Sequence, residues 1–130
     1  MTHVLDPDWI VPDWPAPPGI RALCTTRSGG VSTGPYASLN LGDHVGDVPA
    51  NVAANRERLA QAIGARPVFL RQVHGTELSV LDESTADDSE ADAVCTAHEG
   101  LACTVMVADC LPVLFTDAQG RRVAAAHAGW

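Results

Sequence analysis

The sequence predicts an α+β fold in which one helix is combined with mixed β-sheets. Two observations carry this prediction: one segment of helical periodicity, and a series of short apolar runs, rich in valine, that follows it. Runs of this length favour strands over helices. A chain of 130 residues with 46% hydrophobic content can bury one core, so we expect a single domain over residues 1–130.

The helix is predicted over residues 49–63. Val52 and Leu59 fall on one face of it, and its initial proline suits a first helical turn, where a backbone N–H is not needed. Asp47 is the expected N-cap, and Gly64 is typical of the residue that ends a helix.

Six apolar runs after the helix are predicted as strands, and an earlier run over residues 20–26 also has strand character. The six cover residues 68–70, 78–81, 93–96, 102–108, 113–116 and 123–128. The acidic segment 83–90 is predicted as a loop, and residues 1–19 form a Pro-rich N-terminal segment. Residues 117–120 fit a hairpin turn between the last two strands, which would bring Cys110 and His127 toward the same end of the hairpin.

Charge and hydropathy exclude several classes of protein. The net charge of -8 argues against a nucleic-acid binder, which should carry a basic face. No stretch has the length and apolar character of a membrane span, and the first 14 residues do not resemble a signal peptide. We therefore expect a cytoplasmic protein whose four cysteines are reduced.

Three residues, each in a short segment that favours exposure of its side chain, are candidate metal ligands: His74, Cys110 and His127. Two imidazoles and one thiolate make a tetrahedral zinc site whose fourth position is open for water or substrate, as in a catalytic zinc site. A structural zinc would want a fourth protein ligand and usually brings close pairs such as C-x-x-C, which this sequence lacks. The sequence therefore predicts that the fold brings these three residues together.

Six short motifs, in order along the chain, carry a family resemblance. They are R-S-G-G-V-S at 27–32, S-L-N-L-G at 38–42, Q-V-H-G at 72–75, A-D-A at 91–93, A-D-C-L-P at 108–112 and H-A-G-W at 127–130. Together they resemble the multicopper polyphenol oxidase or laccase-like family, also interpreted as zinc-dependent purine nucleoside phosphorylases. The resemblance runs from about Arg21 to the last residue.

The resemblance implies an α/β/β/α-type sandwich, of which this chain would be the N-terminal portion, because family members are about twice as long. It implies Zn²⁺ held by His74, Cys110 and His127, with copper as the alternative metal. It also implies phosphorolysis of adenosine, inosine, guanosine and methylthioadenosine, with adenosine deamination as a second activity. The expected partners are purine nucleosides and phosphate, and the expected assembly is a monomer or homodimer.

Two further residues are candidates for substrate binding. Arg27, beside Gly29 and Gly30, could hold phosphate, or it could form a surface salt bridge. Asn40 could hydrogen-bond substrate or tie down a turn. Asp109 could orient a metal ligand or cap a turn, whereas His44 is expected to be a bystander.

Two other functions remain open at this point. A copper-dependent polyphenol oxidase would need several copper centres and more histidines than the five present. A metal-free hydrolase would use Cys110 as nucleophile and His127 or His74 as base.

Overall fold

The computed structural model describes residues 5–129, which form two compact units. Of the described residues, the first unit comprises 5–13 and 22–65, and the second comprises 14–21 and 66–129. The helix and two sheets confirm the predicted α+β class, whereas the single domain stays a prediction. Within the described range, no helix has both the length and the apolar character needed to cross a bilayer.

The helix of the first unit, α1, runs from Pro49 to Ile63, as the sequence predicts. It ends at Gly64, whose φ of 66° is the left-handed conformation that glycine adopts at low cost. The expected cap at Asp47 is wrong. Val48 is the N-cap residue, and the Asp47 carboxylate instead accepts hydrogen bonds from Ser32 and Asn40.

Asn55 anchors the loops of the first unit to α1. It is fully buried on the helix face that also buries Val52 and Leu59. Its side-chain oxygen accepts the Val31 N–H at 2.8 Å, and its amide nitrogen donates to the Ser32 hydroxyl and to the Asn40 carbonyl. A buried polar side chain whose donors and acceptor are all used adds specificity without a desolvation penalty.

The second unit holds the sheets. Its strands are β1 (Arg66–Val68), β2 (Leu78–Leu81), β3 (Ala93–Thr96), β4 (Leu101–Cys103), β5 (Leu111–Thr116) and β6 (Val123–Ala128). Strands β1 and β4 form a parallel pair, and the other four form a mixed sheet in the order β2-β3-β6-β5. The core lies around Val68, Leu81, Val94 and Ala125, each 1% exposed or less.

The predicted hairpin between β5 and β6 is present, with Thr116 paired to Val123. Asp117 organises its turn, because one carboxylate oxygen accepts the N–H groups of Arg121 and Arg122. The strands are antiparallel, so residues that precede β5 lie beside residues at the end of β6.

Four predicted strands have different bounds in the structure, and one of them, β5, begins at Leu111 rather than at residue 113. The first run forms strand only to Val68, because the next residue, Phe69, gives its N–H to the Asp87 side chain. The run 102–108 ends as strand at Cys103, because Met106 exchanges both backbone hydrogen bonds with the Gln72 side chain. Segment 20–26 forms no strand beyond one bridge, from Cys24 to Ile10.

One face of the four-stranded sheet is apolar and largely open. Residues paired in register project from the same face. The most exposed side chains of this face are Leu78, Val80, Leu111 and Phe115, at 56%, 70%, 64% and 51% exposure. The opposite face carries the buried side chains of Leu81, Val94 and Ala125.

We expect Asn55→Ala to lower the free energy of unfolding by about 2–4 kcal/mol, because it removes all the hydrogen bonds of a fully buried side chain, including the one to buried Ser32. Asn51→Ala is the matched control: it makes the same chemical change on the same helix, at a half-exposed position, and should alter stability by less than about 0.5 kcal/mol. Urea unfolding of both variants measures the difference. Equal losses would contradict the anchoring role of Asn55.

Candidate metal centre

Three segments of the second unit bring His74, Cys110 and His127 together. His74 lies in the loop between β1 and β2, Cys110 directly precedes β5, and His127 is the next-to-last residue of β6. The register pairs Leu111 with Ala128 and Pro112 with His127. The hairpin therefore places the cysteine beside the second histidine, as the sequence predicts.

The three side chains can hold a metal ion. Their ligand atoms all lie within 4.8 Å of one another, and the two imidazole rings meet edge to face with centroids 4.7 Å apart. Bond lengths of about 2.0–2.3 Å to a tetrahedral zinc imply ligand separations of about 3.4–3.6 Å. Side-chain adjustments of roughly an ångström would close that difference, so the donor set and its spacing fit zinc.

A cavity of about 490 Å³ adjoins the group and is lined by His74, Asp109, Cys110, Leu111 and Ala128. His74 is exposed and Cys110 half-buried, whereas the His127 side chain is only 4% exposed. Two of the three donors are thus reachable from the cavity side, which leaves room for a small molecule next to a bound ion.

Asp92 contacts the group from its buried side, directly precedes β3, and has a side chain that is 3% exposed. One carboxylate oxygen is 2.8 Å from Nδ1 of His127. The carboxylate also accepts the backbone N–H groups of Val73, His74 and Gly75 at 2.9–3.0 Å. Burial raises the pKa of Asp92, but these hydrogen bonds, led by that from His127, outweigh burial and lower the pKa to about 2. Asp92 is therefore a carboxylate at neutral pH.

The backbone at His74 is unusual, because its φ of 58° lies in the left-handed region that few non-glycine residues adopt. The N–H groups on both sides of it and its own N–H all point to Asp92. On the other side of the imidazole, a Cβ at Gly129 would stand 3.1 Å from Nδ1 of His74. A side chain at residue 129 would therefore require this ring to shift slightly.

The Cys110 sulfur lies 3.8 Å from an oxygen of Asp109. Partial burial and this neighbouring carboxylate raise the pKa of the Cys110 thiol. In the absence of a cation, the residue is therefore a thiol at neutral pH. Asp109 contacts a candidate ligand, and a role in orienting that ligand stays a prediction.

The other cysteines have no part in the group. All four cysteines of the chain are free thiols. Burial, with a smaller contribution from Cys95, raises the pKa of the Cys103 thiol to about 12. Cys103 donates to the Val123 carbonyl and is chemically inert in this environment.

Arg27 and Asn40 belong to the first unit. Arg27 is exposed, and its Nε donates to the Ala37 carbonyl at 2.8 Å. Asn40 holds a turn: its side chain bonds both the N–H and the carbonyl of Gly42, and it also donates to Asp47. The turn-forming role of Asn40 is thus visible, whereas substrate binding by either residue stays a prediction. His44 is exposed, 3.8 Å from Asp43.

Two residues of this region were not singled out as candidates from the sequence. Asp92 lies in the A-D-A motif and Gln72 in the Q-V-H-G motif. These motifs contributed to the family resemblance, but they did not predict what either side chain does. Gln72 binds the N–H and the carbonyl of Met106, both at 2.7 Å. It thereby ties the loop of His74 to the segment that leads to Cys110.

The fold and the group define a mixed α/β protein with a candidate metal site of three ligands. The chain belongs to the multi-copper polyphenol oxidoreductase laccase family, whose model matches residues 21–130.

Curated relatives and a crystal structure extend this finding. The chain is 56% identical over 122 residues to a purine nucleoside phosphorylase of Pseudomonas aeruginosa. This match covers 94% of this chain and 50% of the relative. It is 51% identical over 123 residues to purine nucleoside phosphorylase YfiH of Escherichia coli. This match covers 93% of this chain and 51% of the relative. A Neisseria meningitidis crystal structure matches with a TM-score of 0.90 and 50% identity, over 94% of this chain and 50% of that one. The chain thus spans about half the length of the curated relatives it matches.

We expect His74→Ala, Cys110→Ala and His127→Ala each to reduce zinc affinity strongly. The loss should exceed the ~10–100-fold that is typical when a residue that hydrogen-bonds a metal ligand is removed. The reason is that each removes one of only three donors. Competition with a chromophoric chelator measures the affinity.

Cys103→Ala is the matched control for this series, because it removes a thiol that lies outside the group. It should leave zinc affinity unchanged. If Cys110→Ala binds zinc as tightly as Cys103→Ala does, the Cys110 thiolate is not a zinc ligand.

Proposed function

We propose that this chain provides the metal site of a zinc-dependent purine nucleoside phosphorylase. The observation that carries the proposal is the convergence of His74, Cys110 and His127 beside an open cavity. The names of the relatives from Pseudomonas and Escherichia supply the reaction class. The substrates would be phosphate and a purine nucleoside: adenosine, inosine, guanosine or methylthioadenosine.

Zinc is favoured over copper by the ligand set. Two imidazoles and one thiolate, with room for a fourth ligand, are typical of catalytic zinc. A polyphenol oxidase would need several copper centres. Within residues 5–129, the His74 group is the one cluster of three or more His, Cys, Asp or Glu side chains with metal-binding geometry. Copper remains the alternative metal for this site.

The proposal gives the residues separate tasks. His74, Cys110 and His127 would hold the ion, which would supply Lewis-acid polarisation and activation of water near neutral pH. Arg27 would hold phosphate, since its exposed guanidinium keeps donors beyond the Nε that binds Ala37. Asn40 would position the loop beside it and contact the nucleoside. Activation of water would also account for adenosine deamination as a side activity.

A metal-free cysteine hydrolase is less well supported. Its nucleophile must be a thiolate, and such cysteines have lowered pKa values. Burial and Asp109 instead raise the pKa of Cys110. A bound cation would reverse that effect, and it would also give His74 a role that a Cys-His pair leaves unexplained.

We further infer that the protein acts in the cytoplasm, where its unpaired cysteines would stay reduced. A monomer or homodimer is the expected assembly.

Incubation of the zinc-loaded chain with adenosine and phosphate tests the function. We expect adenine and a phosphorylated ribose as the main products, with inosine as a minor one, and loss of both when zinc is removed by a chelator. Chromatography of the products and metal quantification give the readouts. Activity that survives complete metal removal would favour the cysteine hydrolase, and oxidation of phenols by a copper-loaded sample would favour the older family name.

Arg27→Ala separates the two reactions. If Arg27 holds phosphate, its loss should slow phosphorolysis by at least ~10-fold and leave deamination nearly unchanged, because only the first reaction contains the anion. Arg27→Lys should restore part of the rate, since it supplies charge without the bidentate fork. Arg21→Ala, another exposed arginine, is the control. Equal loss of both reactions would mean that Arg27 is structural.

A further inference from the structure

We propose that Asp92 is a positioning residue that fixes two of the three candidate ligands, by selecting the tautomer of His127 and by holding the loop that presents His74. The proposal rests on the metal-binding part of the proposed function and is independent of which reaction the site performs. It gives a task to the A-D-A motif, which the proposed function leaves without one.

The contact with His127 determines which ring nitrogen is available. Nδ1 lies 2.8 Å from the Asp92 carboxylate, and both side chains are nearly inaccessible, at 4% and 3% exposure. Both carboxylate oxygens of Asp92 already accept backbone N–H groups, so the side chain acts as the acceptor in this contact as well and Nδ1 carries the proton. In a neutral imidazole, the lone pair is then on Nε2. Asp92 thereby directs the basic nitrogen away from itself, toward the group formed with His74 and Cys110.

The backbone of Asp92 holds the same histidine. Its carbonyl accepts the His127 N–H at 2.7 Å, which continues the β3–β6 ladder by one step. The ring and the main chain of His127 are thus both fixed by one residue. That arrangement restricts the ring more than a side-chain contact alone, because the imidazole cannot turn without breaking the Nδ1 hydrogen bond.

The same carboxylate sets the conformation of the other histidine. Val73 and Gly75 donate to one of its oxygens, at 3.0 and 2.9 Å, and His74 donates to the other at 3.0 Å. Three successive N–H groups that converge on one anion require a sharply turned backbone, and His74 provides the turn with its φ of 58°. A neutral acceptor would hold such a turn less firmly.

Cys110 is the ligand that Asp92 does not touch, since its neighbouring carboxylate is Asp109. The two histidines come from segments more than 50 residues apart, and one carboxylate orients both. Asp92→Asn should therefore weaken metal binding through the histidines while leaving every donor atom in place. Loss of such an outer partner typically reduces metal affinity by ~10–100-fold.

Asp117→Asn is the matched control. Asp117 also accepts backbone N–H groups and also lies in the second unit, but at the opposite end of the β5–β6 hairpin from the candidate ligands. Both variants replace a structural carboxylate by its amide. If Asp92 served stability alone, the two variants should change metal affinity by similar amounts. If Asp92 positions the ligands, only Asp92→Asn should weaken metal binding.

The first measurement is the ¹⁵N NMR spectrum of the imidazoles in the metal-free chain, which reports the tautomer without metal or nucleoside. We expect His127 of the wild-type chain to be protonated at Nδ1. In Asp92→Asn, we expect a shift toward protonation at Nε2, because the amide can present its N–H₂ to the ring. Asp117→Asn should match the wild type.

The second measurement is zinc affinity by competition with a chromophoric chelator. We expect Asp92→Asn to bind zinc ~10–100-fold more weakly and Asp117→Asn to bind it as the wild type does. Unchanged affinity in Asp92→Asn, or equal losses in both variants, would overturn the proposal.

A wild-type His127 protonated at Nε2 would also overturn it, and this result needs no variant to fold. A chain that binds zinc with these expected differences but does not act on nucleosides would support the role of Asp92. That outcome would contradict only the proposed function.

Discussion

The register of the β5–β6 hairpin is the constraint on which the candidate site depends. It places Cys110 beside His127 only because Leu111 pairs with Ala128. A slip by one residue would turn every side chain of β5 to the other face of the sheet. The Asp117 turn and the packing of Ala125 against the core both oppose such a slip. Secondary structure and site geometry are therefore specified by the same set of hydrogen bonds.

The second histidine and the cysteine could be placed from sequence because local patterns determine them. A turn signal between two valine-containing runs predicts a hairpin, and the hairpin predicts the neighbours. Helix α1 was predictable for the same reason, since periodicity, an initial proline and a terminal glycine are all local. The open apolar face was not predictable, because strand alternation cannot distinguish a covered face from an open one when both are apolar.

Asp92, Gln72 and Asp47 show what local patterns leave out. Asp92 and Gln72 act on segments distant in sequence, so their partners exist only in the folded chain. Asp47 was expected to cap α1 because it lies near the start of the helix. In the structure its carboxylate binds Ser32 and Asn40, and these tertiary partners take the place of the helix N–H groups. Polar side chains in both units are thus used to hold loops, which composition and periodicity do not reveal.

The absence of a side chain at Gly129 also shapes the site. A Cβ there would stand 3.1 Å from Nδ1 of His74, so the imidazole fills a volume that residue 129 leaves empty. The positions are 55 residues apart, yet their sizes are interdependent. A side chain at residue 129 would require the His74 ring to shift by a few tenths of an ångström. The two positions are therefore coupled sterically, and a designer who placed a larger ligand at position 74 would gain from keeping glycine at 129.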